Sequence, residues 1–135
     1  MKQIKKSLIV GVCAILAAYL AVYGYRVARA ERYWLLDRAC AAGDASRVAL
    51  LLRLGADPNG SWDTRYYIDY GWNVFEPTPP LFVAASCGRT DVVRLLLASG
   101  ANPNIRAIEE MTPRDVARLE GHVAVVQAID DAQRK

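Results

Sequence analysis

The chain has 135 residues, with 17 Lys and Arg against 14 Asp and Glu, one histidine and three cysteines. That length holds one small domain, and the charge is unevenly placed: six of the seven charged residues up to position 33 are basic, whereas the remainder is slightly acidic. A folded part with no cationic excess excludes the phosphate-neutralising surface of a nucleic-acid binder, and Cys13, Cys40 and Cys87 are too few and too scattered for a disulfide framework or a metal site.

The first element in chain order is apolar. Leu8 to Tyr25 is a stretch of 18 uncharged residues, which as a helix rises about 27 Å, enough to span a bilayer core. Tyr19, Tyr23 and Tyr25 gather at its end, where amphipathic rings favour the membrane interface, and Arg26 and Arg29 close it. The expected organisation is a basic segment at 1–7, a transmembrane or signal-anchor helix at 8–25 and a juxtamembrane segment at 26–32. A cleaved secretory signal is the competing reading, since Ala28-Arg29-Ala30 is an A-x-A pattern behind a lysine-rich start. Lys2, Lys5 and Lys6 ahead of the span favour a single-pass protein whose folded part lies outside the cytoplasm.

Beyond residue 32 the chain repeats itself. Gly55-Ala56-Asp57-Pro58-Asn59 recurs as Gly100-Ala101-Asn102-Pro103-Asn104, each behind a leucine run, Leu50-Leu51-Leu52 and Leu95-Leu96-Leu97. Upstream of the runs lie Ala41-Ala42-Gly43-Asp44 and Ala84-Ala85-Ser86-Cys87-Gly88, and a third unit passes from Thr112-Pro113 through Gly121-His122 to Val125-Val126. Gly88 and Gly121 stand 33 residues apart, a period that implies stacked units. Pro80 and Pro113 suit the first turn of a helix; Asp44 and Thr90 are expected helix caps, and Gly55 and Gly100 expected helix ends. Ala39, Cys40, Ala84, Ala85 and Ala117 let the first helix of each pair approach its neighbours, and the leucine runs fill the space between units.

These motifs resemble the ankyrin repeat, over residues 33 to 135. The resemblance implies an all-α fold, a short solenoid of about three helix-turn-helix units: 33–59, 79–111 and 112–135 with its C-terminal cap. Departures fall at the ends. Trp34-Leu35 replaces Thr-Pro and Asp37 a usual histidine in the first unit, while Gln127 and Ala128 interrupt the last leucine run. His122 occupies the family's structural turn position. Adjacent acids, Glu109-Glu110 and Asp130-Asp131, read as solvated surface.

One interval is too long. Gly43 to Gly88 is 45 residues, so an insertion falls at 60–78, and it holds Trp62, Tyr66, Tyr67, Tyr70, Trp72 and Phe75, half of the chain's aromatic residues. Alternation from Tyr66 to Val74 suits an extended arm or hairpin. In the family the turn between units projects and contacts partners, and Tyr and Trp are favoured at binding hot spots. These six rings are therefore the candidate protein-binding residues, with covering of the stack's apolar edge as the alternative use.

With one histidine and no cysteine–histidine pair or phosphate-cradling glycine loop, the sequence offers no catalytic, cofactor-binding or metal-ligating residues. The expected function is a membrane-anchored module that binds an as yet unidentified protein, in an accessory, protective or immunity-type role; no nucleic acid and no small-molecule substrate is expected. A structural subunit recruited through its transmembrane helix is the alternative, as is a secreted form after signal cleavage.

Overall fold

The structure is a computed structural model. It describes residues 2–60, 78–107 and 110–134, with side chains on the first helix described at 12–22, at 24 and from 32 onward. The chain divides into two compact units, Met1–Glu31 and Arg32–Lys135.

The first unit lies within α1, Lys2–Ala42, an uninterrupted helix of 41 residues. Its described side chains from Val12 to Val22 are uncharged and all exposed, Ile15 at 71% and Leu16 at 54% among them. The helix continues through residues 26–32, since nothing between Tyr25 and Tyr33 is a helix-breaking Pro or Gly. Among the described residues, moreover, no helix is long and apolar enough to cross a membrane. The described uncharged run, 12–22, rises only about 17 Å, short of a ~30 Å hydrocarbon core; the flanks of the expected 8–25 span have no described side chains.

The second unit is three helix pairs in series. The end of α1 pairs with α2 (Ala45–Arg53), α3 (Pro80–Ser86) with α4 (Thr90–Ala98), and α5 (Pro113–Leu119) with α6 (Val123–Gln133). First helices stack on first helices, α3 on α5, and second on second, α2 on α4 on α6, which makes a two-layered solenoid. Its core runs through every pair: Leu36, Val48, Leu81, Leu96, Val125 and Ile129 are buried, with Ala39, Cys40, Ala84, Ala85 and Ala117 at the close approaches. Each fully buried aliphatic side chain contributes about 1.5–3 kcal/mol. Ile129 takes the place of Leu51 and Leu96 in the last unit, so the interrupted leucine run still delivers its core residue.

Helix ends follow from local chemistry. Pro80 and Pro113 open their helices, where a missing N–H costs nothing. Asp44 caps α2 by accepting from Arg47 N–H at 2.9 Å, and Thr112 and Asp115 form a reciprocal capping box on α5. Thr90 is not a cap as expected. Arg89 holds that position without a side-chain cap bond, because its side chain is used elsewhere.

The other use is between units. Gly43, Gly88 and Gly121 each close a first helix with positive φ, and the N–H one residue on bonds back to Ala39, Ala84 or Ala117 at 3.0, 2.9 and 2.7 Å. The residue after Gly88 and the residue after Gly121 then reach the preceding unit. Arg89 Nε donates to the Ala41 carbonyl at 2.9 Å, and His122 Nε2 bonds the Ser86 carbonyl at 3.0 Å; a carbonyl only accepts, so Nε2 carries the proton. Asp44 has no described unit before it and caps its own helix instead. The structural role expected of His122 is the one observed.

A second ladder runs along the turns. Asn59 and Asn104 N–H groups each bond the side chain two residues back, Asp57 or Asn102, at 2.9 and 3.0 Å. Asn59 Nδ2 then donates to the Gly100 carbonyl and its Oδ1 accepts from Asn102 N–H, while Asn104 Oδ1 accepts from Gln133 of α6.

Gly88 and Gly55 separate backbone strain from packing. Both have positive φ, but a Cβ at Gly88 stands 2.8 Å from the His122 ring and one at Gly55 meets nothing within 4 Å. Gly55→Ala is expected to cost about 1–2 kcal/mol by urea unfolding, and Gly88→Ala at least about 1 kcal/mol more. His122→Ala in the Gly88→Ala background should recover part of the difference.

Candidate protein-binding surface

All six rings of the expected binding set, Trp62, Tyr66, Tyr67, Tyr70, Trp72 and Phe75, lie outside the described residues, as does the expected extended arm. What is described is the two ends of their segment. One is Asn59-Gly60, held by the turn ladder; Tyr33 of α1 lies over Gly60 so closely that a Cβ there stands 2.0 Å from its ring. The other is Thr78-Pro79, both buried, leading into α3.

The described surface adds residues that sequence reading did not single out for binding. Trp34 and Leu35 on α1 are 45% and 40% exposed, and Leu50 and Leu54 on α2 are 53% and 60% exposed. Aligning the units on Gly43, Gly88 and Gly121 shows why. Leu35 corresponds to Pro80 and Pro113, both buried, and Leu50 to half-buried Leu95 and buried Ala128. In the second and third units these positions have a unit before them; in the first, no described unit precedes them. Arg38 stacks its guanidinium 4.8 Å from the Trp34 ring centroid, a cation–π contact at the edge of this patch, and Arg32 Nη1 bonds the Leu54 carbonyl. The repeat register carried the signal, but only once burial was known for the later units.

Charge differs between the ends of the stack. Asp37 sits where Phe82 is buried in the second unit and Asp115 caps α5 in the third. Burial pushes its carboxyl up to about 7. It cannot cap a helix as Asp115 does, because at this position α1 is already in mid-helix and its N–H groups are taken. Burial, followed by the charges of Asp37 and Cys87, also raises the Cys40 thiol, which leaves it an inert core residue. In the third unit Arg114 replaces the core leucine and makes a two-pronged pair with Asp130, at 2.6 and 3.2 Å. Asp130 is thus partnered rather than merely solvated; hydrogen bonding to Arg114 lowers its carboxyl, as bonds from Thr112 lower Asp115. Glu110 takes a left-handed φ of 60°, and its carbonyl accepts from Arg106.

The described residues show no grouping of three His, Cys, Asp or Glu side chains able to hold a metal. An open groove between α2 and α4, lined by Ala49, Leu52, Pro58, Leu95 and Ser99, has Arg53 as its only ionisable side chain. It can take an apolar contact but lacks the paired acid and base that catalysis needs.

Comparison with known proteins agrees with this architecture. Residues 79–108 match the ankyrin repeat family, covering α3, α4 and the following turn. Mouse 2-5A-dependent ribonuclease is 39% identical over 85 residues, 63% of this chain and 10% of that protein. Mouse Rabankyrin-5 is 32% identical over 95 residues, 70% of this chain and 8% of its own length. The putative E3 ubiquitin-protein ligase XBAT35 of Arabidopsis thaliana is 45% identical over 51 residues, 38% of this chain and 11% of that one. The protein described here is an ankyrin-repeat protein. It spans about a tenth of the length of these relatives. Ankyrin repeats as a class mediate protein–protein interaction and are typically non-catalytic.

The two ends should respond oppositely to acid. Asp37 has a folded value above its unfolded 3.8, so its contribution is full below about pH 4 and is lost as pH rises to about 7. Asp115 and Asp130 have lowered values, so their contribution is present above the ordinary carboxylate range and is lost as pH falls through it. Asp37→Asn is expected to raise the melting temperature at pH 7 by an amount on the order of 1–3 kcal/mol in stability, and to leave it little changed at pH 4. Parallel melts of parent and variant across that range check it; equal melting at pH 7 excludes a raised Asp37.

Proposed function

We propose that this protein is a binding module that captures a partner protein through the first repeat unit and the aromatic insertion beside it. The observation that supports this most directly is the exposure of Trp34, Leu35, Leu50 and Leu54, of which Leu35 and Leu50 stand at positions that are less exposed in the later units. Tryptophan and arginine are both enriched among the residues that dominate interface energetics, and the tryptophan ring offers a large contact area at small entropic cost. Tyr33 against Gly60 roots the insertion at this same unit, so Trp62, Tyr66, Tyr67, Tyr70, Trp72 and Phe75 leave the stack from the unit that carries the exposed patch. The accessory, protective or immunity-type role rests on the family resemblance alone.

We further propose that α1 anchors the module in a membrane through residues 8–25. The support is physical. Residues 12–22 are apolar or aromatic and every one is exposed, which is unfavourable in water at roughly 25 cal/mol per Å² of apolar surface and neutral in lipid. The flanking charges, Lys2, Lys5 and Lys6 before and Arg26, Arg29 and Arg32 after, favour slightly the orientation with the repeats outside the cytoplasm.

Photo-crosslinking amino acids at positions 34 and 72, with 118 in the third unit as control, test the binding reading in cells. One protein crosslinked from 34 and 72 but not from 118 is expected. Trp34→Ala or Trp72→Ala should then weaken its binding by ~2 kcal/mol, roughly thirtyfold, without lowering the melting temperature. Crosslinks from 118 alone place binding elsewhere. Separately, Leu16→Arg should move the chain from the carbonate-resistant membrane pellet to the supernatant. A parent chain already in the supernatant ends the anchoring proposal and leaves the binding reading standing.

A further inference from the structure

The dipeptide Asn59-Gly60 joins chemical lability to a structural lock. An asparagine side chain is lost when the next residue's backbone nitrogen attacks its Cγ, and a side chain on that next residue obstructs the attack. Glycine offers no obstruction. The chain has four asparagines, and the others precede Val74, Pro103 and Ile105: two β-branched residues and one with no N–H at all. Asn104 is the repeat counterpart of Asn59, so Ile105 and Gly60 occupy the same place in successive units. Gly60 departs from that pattern for a steric reason, since a Cβ there stands 2.0, 2.6 and 2.8 Å from Cε1, Cζ and Oη of Tyr33. The demand for glycine under the Tyr33 ring thus creates the susceptible pair.

The fold restrains both reacting groups. Asn59 Nδ2 donates to the Gly100 carbonyl at 2.9 Å, and Asn59 Oδ1 accepts from Asn102 N–H at 2.7 Å, which fixes the amide plane against the second unit. The Gly60 N–H, whose proton must leave for attack, donates to the Asp57 carbonyl at 3.1 Å, and Asn59 N–H is held by Asp57 Oδ1 at 2.9 Å. Ring closure requires the side chain to rotate toward Gly60 N, and that breaks the bonds to the second unit first.

We propose that Asn59 is a conditional deamidation site, protected while the first and second repeat units are packed together and modified when that interface opens. The Gly60 nitrogen bonds to Asn59 Cγ, the Cγ–Nδ2 bond breaks, and ammonia leaves with the Gly60 proton. Water then adds across either C–N bond of the five-membered imide and yields aspartate or isoaspartate. The net change is amide plus water to carboxylic acid plus ammonia, and no oxidant or cofactor enters. The product replaces a donor with a carboxylate facing the Gly100 carbonyl, so each opening that ends in reaction leaves a weaker interface behind. The modification therefore records opening of the stack irreversibly.

The test incubates the full chain in detergent micelles in mildly alkaline buffer, folded and in concentrated urea, and follows Asn59 and Asn104 by peptide mapping. Asn59 is expected to convert in urea, with Asn104 lagging well behind, and to convert roughly tenfold or more slowly in the folded chain. Equal rates at Asn59 in the two conditions remove the lock. Equal rates at Asn59 and Asn104 in urea remove the role of Gly60. Asn59→Asp mimics the product and should melt below the parent, with faster amide exchange at Asn102 as the unit interface loosens. Asn59→Gln, which keeps an amide but does not form the ring readily, should stay unmodified in urea. A variant Asn59→Asp as stable as the parent overturns the consequence for the interface.

Discussion

The stack depends on one constraint: successive units must approach within side-chain contact of each other's turn glycine. At Gly88 the ring of His122 occupies the space where any other residue carries its Cβ, and at Gly43 the Arg89 side chain does the same. The positive φ that ends each first helix and the absence of a side chain are thus required together. One gives the chain its reversal, and the other lets the next unit reach the carbonyls two residues upstream. Removing either separates units whose cores are individually too small to be stable.

From that constraint the end effects follow. Inside the stack, Pro80 and Pro113 are buried and Leu95 is half-buried. The first unit has the same positions and no described unit before it, so Leu35 and Leu50 are exposed and Asp37 is left without the helix terminus that Asp115 serves. The third unit exchanges a core leucine for Arg114 and answers it with Asp130, which turns an apolar contact into a charged one at the solvent side. A buried, unpaired acid position at one end and hydrogen-bonded carboxylates at the other make the ends chemically different, and the pH behaviour of those carboxylates differs in sign for that reason.

The turn ladder ties this packing to the insertion. Asn59 belongs to both: its side chain bonds the second unit, and the next residue, Gly60, passes under Tyr33 where the extra segment begins. A change in the unit interface is therefore felt at the root of the segment that carries the aromatic rings. That link needs no long pathway, since the two contacts meet in one dipeptide.

The sequence by itself determined the period, the helix pairs, Pro80 and Pro113 as helix openers, Asp44 as a cap, Gly55 and Gly100 as helix ends and His122 as a structural turn residue. These are legible because local chemistry dictates them: a missing N–H, a side-chain acceptor or a left-handed φ acts within a few residues. Tertiary structure alone decided that Arg89 serves the preceding unit rather than capping α4, and that Asp130 pairs with Arg114. It also decided that Ile129 completes the core, and that Gly60 must be glycine because of Tyr33, 27 positions earlier. Each of these joins positions that the sequence places far apart. Their partner is chosen by the stacking of one unit on the next, which no single unit encodes.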